Sequence, residues 1–192
     1  MTALVSAAAL IIRVVFDGYI ILLLLRFLLQ KLGASWHNPV SQFLITLTEK
    51  PLKPFRKIFR GFKGFDIAIL ILAFLIQCIG IFLLLLTSID AVPKVLGVII
   101  ISIGQILSKF VYIYIYAIII NAIASWLPNL QAHPVMRIVY LIVNPLLSKI
   151  QRVMPLIAGI DLSPIPAILG LMLINLLIVT PILNIGAQLA II

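Results

Sequence analysis

The sequence predicts an all-α integral membrane protein built from two tandem, parallel repeats. Its 192 residues are 64% hydrophobic and 10% charged, with a mean hydropathy of +1.32. A soluble domain of this size has too little interior to hide such a composition. Four apolar stretches are each long enough to cross a bilayer. One segment rich in Lys and Arg lies between the first and second stretches, and another lies between the third and fourth. Composition therefore excludes a soluble enzyme, a secreted scaffold and a disordered tail.

The first span is predicted at about residues 3–29 and the second at about 67–89. The third covers about residues 95–127, longer than one crossing needs, which favours a single long or tilted helix over a helix broken near Lys109. The fourth covers about residues 162–185, with Pro164 in its first turn, where a missing N–H costs little. Pro181 is expected to kink or end this helix.

The polar segments between the spans are predicted to be amphipathic helices, at residues 38–63 and 133–155. Asn38-Pro39 and His133-Pro134 each place a capping residue before a proline, which is typical of a helix start. A basic face alternates with an apolar one, a pattern of helices that lie in the headgroup plane. Its predicted lipid-facing residues are Lys53, Arg56, Lys57, Arg60, Lys149 and Arg152.

Ten of the 14 Lys and Arg residues fall in the polar segments that contain these helices, residues 31–64 and 128–159, whereas the turn between the second and third spans has only Lys94. The positive-inside rule then places both segments in the cytoplasm and both termini in the periplasm. The net charge of +9 is interpreted as a footprint on an anionic membrane surface, and nucleic acid is not an expected partner.

A shift of 95 residues aligns the two halves of the chain without gaps. It places Pro39 on Pro134 and Asp66 on Asp161. The predicted units are residues 1–92 (the first half) and residues 93–192 (the second half), each a span, a cytoplasmic amphipathic helix and a span. Two crossings per unit keep the same orientation, so the repeat is parallel.

Each half carries a Gly-x-Asp element after its basic segment. Gly64 and Gly159 could end that helix, and Asp66 and Asp161 could cap the following span. Capping is the simpler interpretation. The alternative is a carboxylate paired with Lys57 or Arg152 that clamps the surface helix to the span. The complete set of motif and capping residues is Asn38, Pro39, Gly64, Asp66, His133, Pro134, Pro145, Gly159, Asp161, Ser163 and Pro164.

These duplicated motifs resemble the YggT family of bacterial inner-membrane proteins, which has relatives in chloroplasts. The resemblance covers nearly the whole chain, and it is clearest from Asn144-Pro145 to Ser163-Pro164. It implies a multi-pass protein without assigned catalysis, linked to osmotic or potassium tolerance, to cell division and, in chloroplasts, to cytochrome assembly or nucleoid organisation. Two departures stand out: Asn121 occupies the position of Arg26, and the first half lacks the Ser-Pro.

Four ionisable residues lie inside predicted spans: Arg13, Asp17, Arg26 and Lys109. Charges at membrane depth are costly and count as functional candidates, although arginines near a span end can instead reach the interface. Arg13 and Asp17 are spaced i, i+4 and are expected to neutralise each other. A conduit lined by Arg13, Asp17 and Lys109 is the alternative.

The sequence lacks the usual hydrolase, metalloprotease and phosphate-loop motifs, and one cysteine with two histidines is too few for a metal cluster. We therefore expect no enzyme activity, cofactor or metal. The leading hypothesis is a non-enzymatic inner-membrane protein that uses lipid-bound helices to organise or help assemble membrane components. Its expected partners are anionic lipid, other membrane proteins and further copies of itself. The alternative is a small oligomeric ion channel or transporter in ion homeostasis.

Overall fold

A computed structural model describes residues 3–59, 61, 65–88, 92–154 and 161–191. Three long helices account for three of the predicted spans: α1 (Ala3–Lys31), α3 (Ile67–Ser88) and α4 (Val95–Ser125). The fourth span is α7 (Pro164–Ile174), a π-helical turn (Asn175–Val179) and α8 (Thr180–Ile191), which follow one another without a break. The α4 helix is continuous through Lys109, which agrees with the favoured interpretation of the third span.

Pro181 does not end the fourth span, and α8 continues ten residues beyond it. The π-helical turn lies immediately before this proline, and the hydroxyl of Thr180 donates to the backbone oxygen of Asn175 at 3.1 Å. A proline cannot donate to the residue four positions earlier and crowds its carbonyl group. A wider turn at this point lets the helix accommodate the proline.

Helices α2 (Pro39–Ile58) and α6 (Pro134–Gln151) occupy the two basic segments, and the short α5 (Pro128–Gln131) precedes α6. Both longer helices begin at a proline after a capping side chain. Asn38 Oδ1 accepts from Val40 N at 2.9 Å, and His133 Nδ1 accepts from Val135 N at 3.3 Å. Each cap satisfies one of the free N–H groups of a first helical turn.

Prolines lie inside α2 and α6 without interrupting either helix. Pro51 has no N–H to donate to Leu47, so the carbonyl oxygen of Leu47 is left free. The hydroxyl of Tyr19, on α1, lies 3.5 Å from that oxygen. A side chain of α1 thus contacts α2 at the carbonyl that Pro51 leaves unbonded.

Two buried clusters hold the helices together. One is built mainly by α1 and α3 and receives Leu52 from α2 and Ile113 from α4. The other joins α4, α6 and α7 with the end of α1 and Leu44 of α2. Along α2 the buried positions are Ser41, Leu44, Thr48 and Leu52. Phe43 and Leu47 of the same helix are exposed.

The outer surface of the long helices is apolar. Examples are Leu10 and Val14 on α1 and Leu169, Leu173 and Leu177 along the fourth span, all more than half exposed. A surface of this kind is stable in lipid and is a liability in water. α2 and α6 lie at the end of the bundle where α1 ends and α3 begins, which we call the α2/α6 end.

Candidate functional site

A buried arginine on α1 begins a network of charges at the α2/α6 end. The Arg26 side chain is 4% exposed, and its guanidinium donates to Thr48 Oγ1 at 2.6 Å and to Glu49 Oε2. Both partners belong to α2. A buried charge is tolerated only when it is paired and hydrogen-bonded, and these two contacts supply that compensation. Arg26 therefore fixes α2 against the last third of α1.

Arg56 extends the network from Glu49 to the start of α3. Its guanidinium lies 3.1 Å from both Glu49 oxygens, and its Nε and second terminal nitrogen donate to Asp66 Oδ2 at 2.9 and 2.6 Å. The four charges alternate in sign from Arg26 to Asp66 and sum to zero. The Arg26 hydrogen bond, aided by Arg56, holds the pKa of the Glu49 carboxyl below its ordinary value.

This network corrects two sequence predictions. Arg56 was placed on the lipid-facing basic surface, but its side chain is 32% exposed and faces Glu49 and Asp66. Asp66 was interpreted as a cap, with pairing to Lys57 as the alternative; its carboxylate pairs with Arg56, and Lys57 is exposed. Helical periodicity could not distinguish these neighbouring cations, because the position of Asp66 depends on how α3 packs against α2.

The equivalent contact in the second half has no cation. Gln151 stands 95 residues after Arg56, and its amide donates to Asp161 Oδ2 at 2.8 Å. Asp161 Oδ1 accepts from the backbone N–H of Ser163 at 2.9 Å, just before Pro164 begins α7. Burial acts to raise the pKa of Asp161, but the hydrogen bonds from Ser163 and Gln151 outweigh it, and the pKa is lowered.

The alternative interpretation paired Asp161 with Arg152, but Arg152 is exposed, and its neighbour Gln151 makes the contact. Sequence reasoning missed Gln151, because an uncharged side chain was not considered as a clamp. A second missed contact joins the halves: the Asn38 amide nitrogen donates to the backbone oxygen of Pro134 at 2.9 Å. One residue thus caps α2 and ties it to the start of α6.

A second polar group lies midway along the spans. Lys109 Nζ on α4 is 2.9 Å from Asp17 Oδ1 on α1 and 2.9 Å from Gln77 Oε1 on α3. Each residue is within one turn of the midpoint of its helix. Gln77 is 2% exposed. We call this group the midspan triad; its charges would lie near the centre of a bilayer, where an unpaired charge is most costly.

The expected pair of Arg13 and Asp17 is wrong. Asp17 pairs with Lys109, and Arg13 is exposed on α1, outside the ion pairs that the described residues form. An i, i+4 spacing shows only that two residues share a helix face. The packing of α4 against α1 decides which cation the carboxylate meets. Of the predicted conduit residues, the structure brings together Asp17 and Lys109.

The remaining predicted basic residues that the structure describes lie on the surface. Lys53 and Lys57 on α2, and Lys149 and Arg152 at the end of α6, are all exposed. Pro145 lies inside α6, and Ser163 is fully buried beside the start of α7. Arg60, Gly64 and Gly159 lie outside the residues that the structure describes.

Four helices are long and apolar enough to cross a membrane, which is typical of a membrane protein. The chain belongs to the CCB3/YggT family, whose model matches residues 5–87 and again residues 100–182. The two matches are offset by 95 residues, the shift that the sequence predicts for the two halves.

Several bacterial proteins are similar over nearly their full length. An uncharacterized protein of Pseudomonas aeruginosa is 37% identical over 93% of this chain and 91% of its own. One from Haemophilus influenzae is 31% identical over 88% and 90%, respectively. The uncharacterized protein YggT of Escherichia coli K12 is 29% identical over 86% of each chain. No solved structure gives a significant match.

Proposed function

We propose that this chain is a non-enzymatic protein of the bacterial inner membrane that organises or helps assemble other membrane components. In this proposal α2 and α6 lie at the cytoplasmic leaflet, bind anionic lipid and present a fixed surface to membrane partners, and both termini are periplasmic. Osmotic tolerance and cell division are the processes in which we expect this role. Oligomers of the chain are compatible with it.

The observation that carries the proposal is the distribution of free cations. Lys53, Lys57, Lys149 and Arg152 are exposed on the two helices at one end of the bundle, outside the ion pairs of the described residues. Toward the opposite end, the exposed cations among the residues described are Lys94 and Arg13, which lies partway along α1. Each basic residue near an anionic leaflet contributes on the order of 1 kcal/mol. The internal network meanwhile fixes α2, which carries Lys53 and Lys57, against α1 and the start of α3.

Lipid selection by the full chain tests this proposal. The protein is extracted from membranes of mixed phosphatidylglycerol and phosphatidylethanolamine, and native mass spectrometry measures the anionic fraction of retained lipid. We expect a variant carrying K53Q, K57Q, K149Q and R152Q to lose most of the anionic enrichment. K94Q, which removes an exposed cation from the other end, should keep it. Equal enrichment in all three proteins would contradict the proposal.

Partner capture tests the organising role itself. Crosslinking in native membranes, followed by purification, should yield a defined set of membrane proteins whose recovery falls in the four-residue variant. K94Q should recover the same set as the unmodified chain. Recovery of only further copies of the chain would argue against an assembly role and in favour of a free oligomer.

The midspan triad favours a second candidate function, a small oligomeric channel or transporter. An Asp and a Lys near the middle of three packed helices are typical of ion or proton pathways. The test is flux across proteoliposomes under an imposed cation or proton gradient. We expect D17N and K109M to abolish flux and R13Q, on the lipid-facing side of α1, to preserve it. Absence of flux through the unmodified protein would contradict this second candidate function.

A further inference from the structure

The two halves build one pocket at equivalent positions. In the second half it lies between the end of α4, α5 and the first turns of α6. Six of its seven described lining residues stand 95 residues after a residue that lines the corresponding pocket of the first half. These six are Asn121, Ala124, Ser125, Gln131, Met136 and Tyr140. The pocket is therefore a duplicated feature of the fold and not an accident of one loop.

The two pockets differ greatly in size. The first has a volume of about 20 Å³, and the second has about 400 Å³. Shorter side chains explain much of the difference: Asn121 replaces Arg26, Ser125 replaces Gln30, and Gln131 replaces a tryptophan. A volume of about 20 Å³ holds roughly one water molecule, whereas a few hundred cubic ångströms accept a small ligand or a lipid headgroup.

The two pockets also differ in how their cation is balanced. In the first half Arg26 is paired with Glu49, whose equivalent in the second half is Asn144. The seventh lining residue of the second pocket is Arg137, an exposed cation that belongs to none of the ion pairs of the described residues. Among the described lining residues none is Asp or Glu. The larger pocket thus carries one unbalanced positive charge beside amide and hydroxyl groups.

We propose that the second pocket binds a phosphate group carrying one negative charge, with Arg137 as its counterion. A guanidinium matches phosphate oxygens with two parallel hydrogen bonds. The Asn121 amide and the Tyr140 hydroxyl line the same pocket and supply further donors. The inference rests on the proposed function only for its setting at an anionic lipid surface, since its residues differ from the four exposed cations.

The chemistry fits either a phospholipid headgroup or a free phosphate compound, and titration separates these sources. The full-length protein in a neutral detergent is titrated with dihexanoyl phosphatidylglycerol, with inorganic phosphate and with dihexanoyl glycerol, which lacks phosphate. Binding is measured by microscale thermophoresis. Saturable binding of the lipid alone would assign a headgroup site, and equally tight, Arg137-dependent binding of inorganic phosphate would assign a site for the free anion.

Variants identify the pocket. We expect R137Q to weaken binding about tenfold, as for loss of one charge-assisted contact, and R137K to restore part of it. S125Q, which installs the first-half residue, should also weaken binding because it narrows the cavity. The control K94Q removes one exposed charge at the opposite end of the bundle, outside the pocket, and should change the affinity less than about twofold.

Equal losses in R137Q and K94Q, equal binding of the phosphate-free glycerolipid, or no saturable binding of any probe would overturn the inference. These outcomes leave the proposed function separately testable, because its four-residue variant keeps Arg137, and R137Q keeps Lys53, Lys57, Lys149 and Arg152. Loss of enrichment in the four-residue variant with intact phosphate binding would likewise support both statements independently.

Discussion

The two halves of this protein use equivalent positions with different chemistry. In the first half Arg26, Glu49, Arg56 and Asp66 form a continuous set of ion pairs at the α2/α6 end. Their equivalents are Asn121, Asn144, Gln151 and Asp161, of which only the last is charged. The contact between α2 and the start of α3 is thus repeated between α6 and the start of α7, with an amide in place of a guanidinium.

The second half packs its two spans more closely. Gly97 on α4 faces the backbone of Ala190 on α8, so closely that an added Cβ would lie 2.3 Å from the Ala190 nitrogen. A Cβ added at Gly186 of α8 would likewise lie 2.8 Å from the backbone nitrogen of Ile101. Small residues at such crossings let helix backbones approach in a membrane. In the first half, ion pairs hold α2 against the spans. In the second half, the close approach of the α4 and α8 backbones holds the two spans together.

The largest expected effect is the loss of Glu49. E49A leaves Arg26 buried without a carboxylate, and we expect a loss of about 3 kcal/mol in the free energy of unfolding, measured by denaturant titration in detergent. The matched control is N144A, at the equivalent exposed position, which should change stability by less than about 0.5 kcal/mol. Similar losses of stability in the two variants would contradict the view that the ion pair stabilises only the first half.

The next largest effect concerns the crossing of α4 and α8. G97A should lower the free energy of unfolding by about 1–3 kcal/mol, because the new methyl group overlaps the Ala190 backbone and the helices must separate. Thermal unfolding followed by circular dichroism measures it. G170A places the same methyl group where nothing lies within 4 Å and is the control. Because alanine has a higher helix propensity than glycine, G170A should be neutral or stabilising, and a loss in G170A as large as that in G97A would show that overlap with Ala190 is not the cause.

The two aspartates give a smaller and direct contrast. D66N weakens two hydrogen bonds from a guanidinium, and we expect it to cost about 2 kcal/mol, whereas D161N weakens a bond from an amide and should cost about 1 kcal/mol. Parallel denaturant titrations of the two variants measure the difference. A larger effect of D161N would show that the hydrogen bond from the Ser163 N–H contributes more to stability than the contact with the preceding helix.

The smallest effect is a dependence on pH. The pKa of Glu49 is lowered in the folded protein, so its stabilising contribution is complete above the ordinary value of 4.5 and is lost as the pH falls through the lowered value. The stability difference between the unmodified protein and E49Q should therefore be constant above about pH 5 and shrink below about pH 4. Thermal unfolding across this range measures it. A constant difference down to pH 3 would contradict the ion pairing of Glu49.

Much of the fold was predictable because the relevant signals are local. Long apolar runs locate the spans, and Asn38-Pro39 and His133-Pro134 mark two helix starts, since both depend on residues adjacent in the chain. The candidate site was predictable only in part. Arg26, Asp17 and Lys109 stand out as charges in apolar runs, but their partners lie on other helices. Gln77 could have been found by the same signal, a polar side chain near the middle of a span.

The duplication of the sequence also predicts which residues make equivalent contacts, and a search for opposite charges overlooks this. The 95-residue shift places Gln151 on Arg56 and Asp161 on Asp66, so either contact predicts the other. Charge alone instead suggested Lys57 and Arg152, one position away in each helix. Consecutive residues of an α-helix are rotated by about 100° around its axis, so a shift of one position decides which side chain contacts α3 or α7.

The sequence by itself determined that the protein is helical, that four segments can cross a membrane and that its halves are related, because hydrophobicity, capping and repetition are properties of neighbouring residues. Tertiary structure alone decided that Asp17 meets Lys109 and not Arg13, that Arg56 faces inward, and that one of two equivalent pockets is open. These outcomes depend on the rotation and separation of packed helices, which are set by contacts among residues far apart in the chain.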